Sequence, residues 1–164
     1  MSTHTIRAAV AGDLARIKTI AVATGMFGVE EAEFFDDMLG GFLDGSIPGS
    51  QWRVVDDRSG IAQAAAYYAP EPFSDRMWNV YFIAVDPAVQ GQGLGGALMA
   101  HVETTLRQRG ESEARVVIVE TSSTDQYRRT REFYAKIGYD EEARVREFYG
   151  PNDHKVMFWK SLIA

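Results

Sequence analysis

Four glycines, Gly91, Gly93, Gly95 and Gly96, crowd into six positions of the stretch VDPAVQGQGLGGAL (Val85–Leu98), just ahead of a helical pattern. A side chain would obstruct a ligand lying on this backbone, so glycine is what close approach needs. The start of a helix adds unpaired N–H groups and the positive end of its dipole. The combination describes a seat for phosphate or pyrophosphate. It equally describes a tight strand-to-helix packing turn, and the spacing G-x-G-x-x-G of Gly91, Gly93 and Gly96 leaves both open. As a dinucleotide fingerprint it has one support: Glu120 ends the following strand, where an acidic ribose ligand belongs. Two features oppose it. Asp86 to Gln90 separate the glycines from their strand, and Pro87 has already ended the ladder. The motif also lies in mid-chain, with too few elements after it for a six-stranded sheet. The NAD reading is set aside.

Other chemistries are narrowed by what the chain lacks. It has no cysteine, which excludes disulfides, thiolate metal sites and a cysteine nucleophile. No G-x-S-x-G occurs, so a covalent acyl-enzyme has no obvious nucleophile. His4, His101 and His154 stand far apart and in no metal-ligand spacing, so no metal is expected. A net charge of -6 argues against a nucleic-acid partner and fits a cationic substrate. No apolar run approaches the roughly 18 residues of a membrane span. The apolar patch after Arg7 is broken at Asp13, so neither a membrane partner nor a secretory signal is expected, and the expected location is cytoplasmic.

The elements that must position these residues follow from periodicity. The 164 residues, 46% hydrophobic and 24% charged, suit one globular domain over 1–164. Ile6–Val10 reads as a strand, followed by a helix capped by Asp13 and carrying Leu14, Ile17 and Ile20. A second helix covers VEEAEFFDDMLGGFLDG, with Phe34, Met38 and Phe42 on one face. WRVVDD and IAQAAAYYA form a hairpin about Arg58–Gly60. WNVYFIAV is a strand buried on both faces. After the glycines, Leu94, Ala97, Leu98, Val102 and Leu106 mark a helix that Gly110 ends. ARVVIVET is another buried strand, and a helix capped by Thr124 or Asp125 runs to Ile137. EARVREFY and KVMFWKSL pair across GPND. The expected fold is α+β, a mixed sheet with helices on both faces.

Read as Gln90-x-x-Gly93-x-Gly95 after a V-D-P strand end, the loop resembles the coenzyme A loop of the GNAT superfamily of acetyl-CoA-dependent N-acetyltransferases. The likeness extends on both sides, through FIAVDPAVQGQGLGGALMAHVETTLRQRG and VIVETSST…FYAKIGYDEEARVREFY. It covers roughly Val80 to Tyr149, with the earlier residues matching in element order only. The resemblance implies a central, mostly antiparallel mixed sheet and acetyl-CoA as cosubstrate. It implies that the backbone of Phe82, Ile83, Ala84 and Val85 lines the pantetheine arm. The N–H groups of Gln90, Gly91, Gln92, Gly93, Leu94, Gly95 and Gly96 would then hold the pyrophosphate.

The implied reaction is direct attack of a primary amine, from a small molecule or a peptide, on a bound thioester. That amine must shed a proton from a pKa of about 10.4 if lysine-like. On pattern alone Tyr134, in FYAKIGY, spaced with Tyr127 and Ile137 on a helix, is a core aromatic. The resemblance makes Tyr134 the acid that protonates the departing thiolate. It makes Glu120, in VIVETSS, the base; the other expectation for Glu120 is a solvated strand end or an ion pair with Arg128, Arg129 or Arg131. Asn79 stands where relatives carry another base and cannot serve as one. The competing class is a non-catalytic acyl-CoA-binding module of the same fold. Dimers are common in the superfamily, which makes a homodimer one expectation.

Three weaker features complete the reading. His101 is expected to be packed. Arg128, Arg129 and Arg131 form either a coenzyme A 3′-phosphate contact or a solvated face. Glu30, Glu31, Glu33, Asp36 and Asp37 form a wet acidic face or the border of a site for a cationic amine.

Overall fold

The computed structural model describes residues 4–163, so the ends of the expected 1–164 domain lie outside the described residues. Seven strands form one sheet in the order β1-β2-β3-β4-β5-β7-β6. In chain order these are β1 (Thr5–Ala8), β2 (Gln51–Asp56), β3 (Ala62–Pro70), β4 (Met77–Val85), β5 (Val116–Ser122), β6 (Asp140–Gly150) and β7 (Asp153–Ser161). The helices are α1 (Leu14–Ala23), α2 (Phe34–Asp44), α3 (Leu94–Arg109) and α4 (Arg128–Lys136). β4 runs parallel to β5, whereas the β1/β2, β2/β3, β5/β7 and β6/β7 pairs are antiparallel. The expected mixed α+β architecture is the one found. The chain divides into two compact units, Met1–Ala69 with Phe82–Val102, and Pro70–Tyr81 with Glu103–Ala164.

In the first unit the two-residue period of β3 sorts the core. Ala65, Tyr67 and Ala69 pack with Ile17, Ile20, Phe35 and Leu39 of α1 and α2. Ala64 and Ala66 point the other way, against Leu94 and Leu98 of α3. Alternation thus lets one strand bury both faces under helices. Three alanines in a row leave room for them. Arg7 ties β1 to this frame, its guanidinium donating to Asp13 at 2.8 Å and to Asp56 at 2.6 Å. Asp13 does not cap α1 forward as expected. Its carboxylate accepts from the Val10 N–H at 2.7 Å and closes a 3-10 turn, Ala11–Asp13, ahead of the helix.

Two helical faces differ from the sequence pattern. Phe34 is 70% exposed and Phe35 is buried instead, with Leu39. A 3-10 turn over Glu31–Glu33 precedes α2, so Phe34 stands at the first position of the helix, while Met38 and Phe42 pack against the core, partly buried. In α3, Leu94, Leu98, Val102 and Leu106 are buried as expected, whereas Ala97 is exposed and Met99 takes a core place. β1 begins one residue earlier than expected and stops at Ala8.

In the second unit, β5 is the buried centre, flanked by β4 over Met77–Val80 and by β7 along its whole length. Buried Glu103, in the second half of α3, gathers Lys160 at 2.8 Å and the Tyr139 hydroxyl, which donates at 3.1 Å. Lys160 also donates to the Ile137 carbonyl at 2.9 Å. A paired and hydrogen-bonded charge of this kind fixes geometry more than it adds stability. It pins the turn after α4, where Gly138 adopts φ 95°.

Candidate active site

The glycine loop belongs to the first unit. Phe82 and Ala84 bury their side chains among Phe27, Phe35 and Trp52, while Ile83 and Val85 pack toward α3. Asp86 then turns the chain out of β4. Its carboxylate accepts from the Ala88 N–H at 2.9 Å and from Arg16 at 2.5 Å, and these bonds hold it below the usual carboxylate range. The Gln90 side chain donates back to the Val85 carbonyl at 3.3 Å. Gly91 and Gly93 take φ of 83° and 79°, left-handed values that a β-branched residue would hold only under strain. The first helical bond runs from Ala97 N–H to the Gly93 carbonyl at 3.0 Å. The N–H groups of the first turn therefore have no partner within the helix. A Cβ built at Gly91, Gly93 or Gly96 meets nothing within 4 Å. The loop is an open row of backbone donors at the start of a helix, which fits a pyrophosphate.

Tyr134 and Glu120 belong to the second unit. Tyr134 is 2% exposed, its ring held by Phe133 at 5.3 Å, Phe158 at 5.5 Å and Tyr139 at 6.1 Å between centroids. Burial pushes its phenol well above the ordinary value, so it keeps its proton throughout the physiological range. Phe158 lies opposite Val119 across the β5/β7 ladder, which places Tyr134 over that face. Glu120 is the next residue and projects to the other face, opposite Met157. The two side chains thus stand on opposite sides of one strand.

Glu120 pairs with Lys155 at 3.1 Å, which corrects the expected pairing with Arg128, Arg129 or Arg131. Those arginines are occupied differently. Arg131 donates to the carbonyls of Ser122 and Thr124 at 2.6 and 2.8 Å, closing the end of β5. Arg128 pairs with Asp125 at the surface, and Arg129 is exposed. Lys155 also lies 3.5 Å over the Phe148 ring. Tyr149 is pushed up to about 12 by burial and by the charges of Glu120 and Asp153. His101 is half-buried and shifted down, by burial first and by the charge of Arg53 second, as a packed histidine should be.

One carboxylate escapes the sequence reading. Glu71, just past β3, accepts on one oxygen from Asn79 Nδ2 at 3.0 Å and from the Tyr81 hydroxyl at 2.5 Å. Asn79 pairs with Ile118 in the β4/β5 ladder, so it projects to the same face as Ile118 and Glu120. Nothing in the sequence flags Glu71, since its partners are ordinary strand residues. Acidic residues before and within the first turn of α2 line a shallow pocket, formed by Lys18, Glu30, Glu33, Phe34, Asp36 and Asp37. One of its carboxylates, Asp36, is already paired with Lys18.

Known proteins share the fold. A protein from Desulfovibrio desulfuricans, assigned to the GNAT family as an acetyltransferase, is 28% identical with a TM-score of 0.88, covering 97% of this chain and 99% of that one. The ribosomal-protein-S18-alanine N-acetyltransferase of Escherichia coli shares the fold at 20% identity and a TM-score of 0.78, covering 97% and 94%. So does yncA of Salmonella typhimurium, solved with its cofactor acetyl-CoA, at 19% identity and a TM-score of 0.76, covering 98% and 95%. The model of the acetyltransferase (GNAT) domain matches residues 48–141, more than half of the sequence, and the chain therefore belongs to the GNAT acetyltransferase family.

Proposed function

We propose that this protein transfers an acetyl group from acetyl-CoA to a primary amine by direct attack. The observation that carries the reading is the open glycine loop at the start of α3; within the second unit, a buried, neutral phenol at Tyr134 supports it. The N–H groups of Gln90–Gly96 would hold the pyrophosphate, and the backbone of Phe82–Val85 would line the pantetheine arm. Acetyl-CoA, when bound, supplies an activated thioester.

Tyr134 keeps its proton because burial disfavours the phenolate. It donates a hydrogen bond to sulfur as negative charge gathers there, which lowers the barrier most when the donor is already in place. Glu120, on the other side of β5, accepts the proton of the amine directly or through one water. Acid and base on opposite faces of one strand suit a reaction in which the amine enters from one side and the thiol leaves toward the other. With no cysteine in the chain, attack without a covalent acyl-enzyme is the economical route.

The test is incubation with acetyl-CoA and a panel of polyamines, amino acids, aminoglycosides and short peptides. Expected are an acetylated amine by mass spectrometry and one free thiol per acetyl group. Acetyl-CoA binding without acetylation of any amine would favour the binding module instead.

A further inference from the structure

We propose that Glu71, Asn79 and Tyr81 form a seat for a primary ammonium group, the recognition point for the acceptor; its use in acetylation rests on the function proposed above. The seat begins with a rigid turn between β3 and β4. Glu71 N–H donates to the Met77 carbonyl at 2.8 Å, and Ser74 Oγ donates to the Glu71 carbonyl at 2.7 Å. Phe73 and Arg76 accept φ of 64° and 59° to close it. The backbone of Glu71 is thereby fixed before any ligand arrives.

Its carboxylate is held by neutral donors only. Asn79 and Tyr81 both donate to Oε2, and neither cancels the charge. The cations of this turn are engaged elsewhere, since Arg76 and Arg115 pair with Asp75 at 2.7 and 3.4 Å. No lysine or arginine among the described residues forms an ion pair with Glu71. Glu120, two strand positions beyond Ile118, has Lys155 in that role. Among the described residues, then, the Glu71 carboxylate has no cationic partner within ion-pair distance.

A second, independent feature points the same way. Asn79 is 1% exposed, and its Oδ1 is buried with no hydrogen-bond donor. The other end of that amide is fixed on Glu71, so the orphan carbonyl oxygen sits on the same side chain that anchors the seat. Buried acceptors are almost always satisfied, and one that is not asks for a donor. The Tyr81 ring, 46% exposed, presents an aromatic surface beside it.

The missing ligand group must therefore carry positive charge and several N–H donors, with no acceptor of its own. A primary ammonium has three donors and meets each demand: the carboxylate, the orphan carbonyl and the ring face. A water would satisfy Asn79 but leave the charge of Glu71 untouched. A calcium ion needs six or more oxygens, more than this patch offers. The seat lies on the face of the β4/β5 ladder that also carries Glu120, the proposed base.

The experiment follows the Asn79 side-chain amide by NMR in 15N-labelled protein, with butylammonium as the probe and butan-1-ol as its uncharged counterpart. Expected are a saturable shift with butylammonium, at least tenfold weaker binding of butan-1-ol, and a tenfold or greater loss for butylammonium in Glu71→Gln. Equal binding of both probes, no shift with either, or unchanged affinity in a folded Glu71→Gln would overturn the proposal. Thermal shift with acetyl-CoA, run on the same two proteins, is expected to be alike in both. Its absence from the wild type would remove the acetyl-transfer reading, while the cofactor-free ammonium titration still decides the seat.

Discussion

The loop at Gln90–Gly96 and the strand face around Glu71, Asn79 and Glu120 are made of opposite materials. The loop offers backbone donors, with four glycines among its seven residues, at the positive end of a 16-residue helix. The strand face offers acceptors, two carboxylates and an orphan amide oxygen, all on side chains. One suits an anion and the other a cation, and the two substrates of the proposed reaction carry those charges. The materials also differ in how they break. A backbone seat is lost when the chain cannot take its dihedral angles, whereas a side-chain seat is lost one atom at a time.

The largest expected effect tests the backbone seat. Gly93→Val places a β-branched residue at φ 79°, and the loop must then abandon its conformation. Calorimetric titration is expected to find no acetyl-CoA binding in a protein whose far-UV dichroism is unchanged; normal binding would mean the loop is a packing turn. On the side-chain seat, Glu120→Gln should lower kcat by about 10²-fold with acetyl-CoA affinity intact, the usual scale for a general base. A drop in acetyl-CoA affinity instead would assign Glu120 to the other seat. Tyr134→Phe should cost between roughly 10-fold and 10³-fold in kcat, again without loss of acetyl-CoA affinity. An unchanged kcat would return Tyr134 to the core.

The smallest effect concerns stability at high pH. Burial raises both Tyr134 and Tyr139 above the ordinary phenol value. Unfolded phenols ionise near pH 10, before the folded ones do. This contribution to stability is therefore fully present below about pH 10 and lost as pH rises from there through the folded values. The melting temperature should fall more steeply above about pH 10 in the wild type than in Tyr134→Phe. Parallel curves would show that the phenol is not buried in solution.

The two seats were unequally legible. The loop announces itself because glycine spacing, Pro87 and the α3 periodicity are all local signals. The roles proposed for Tyr134 and Glu120 rest on resemblance, since nothing local separates Tyr134 from a core aromatic. The partner of Glu120 was not legible at all. Lys155 arrives from β7 by antiparallel pairing, while three arginines lie much nearer in sequence. Glu71 is invisible for a related reason: its role depends on which face of β4 carries Asn79 and Tyr81, and on where Arg76 and Arg115 spend their charge. Phe34 was misplaced because it opens α2 directly after a 3-10 turn, and no residue type marks where that turn gives way to the helix.

The most direct test of the central claim is a thermal-shift comparison of the wild-type protein with acetyl-CoA, free coenzyme A and NAD. A ligand at 100 times its Kd stabilises by about 2.7 kcal/mol, a rise of several degrees in Tm for a chain of this size. The account predicts that rise with both coenzyme A compounds and none with NAD. A rise with NAD alone, or with none of the three, would contradict it.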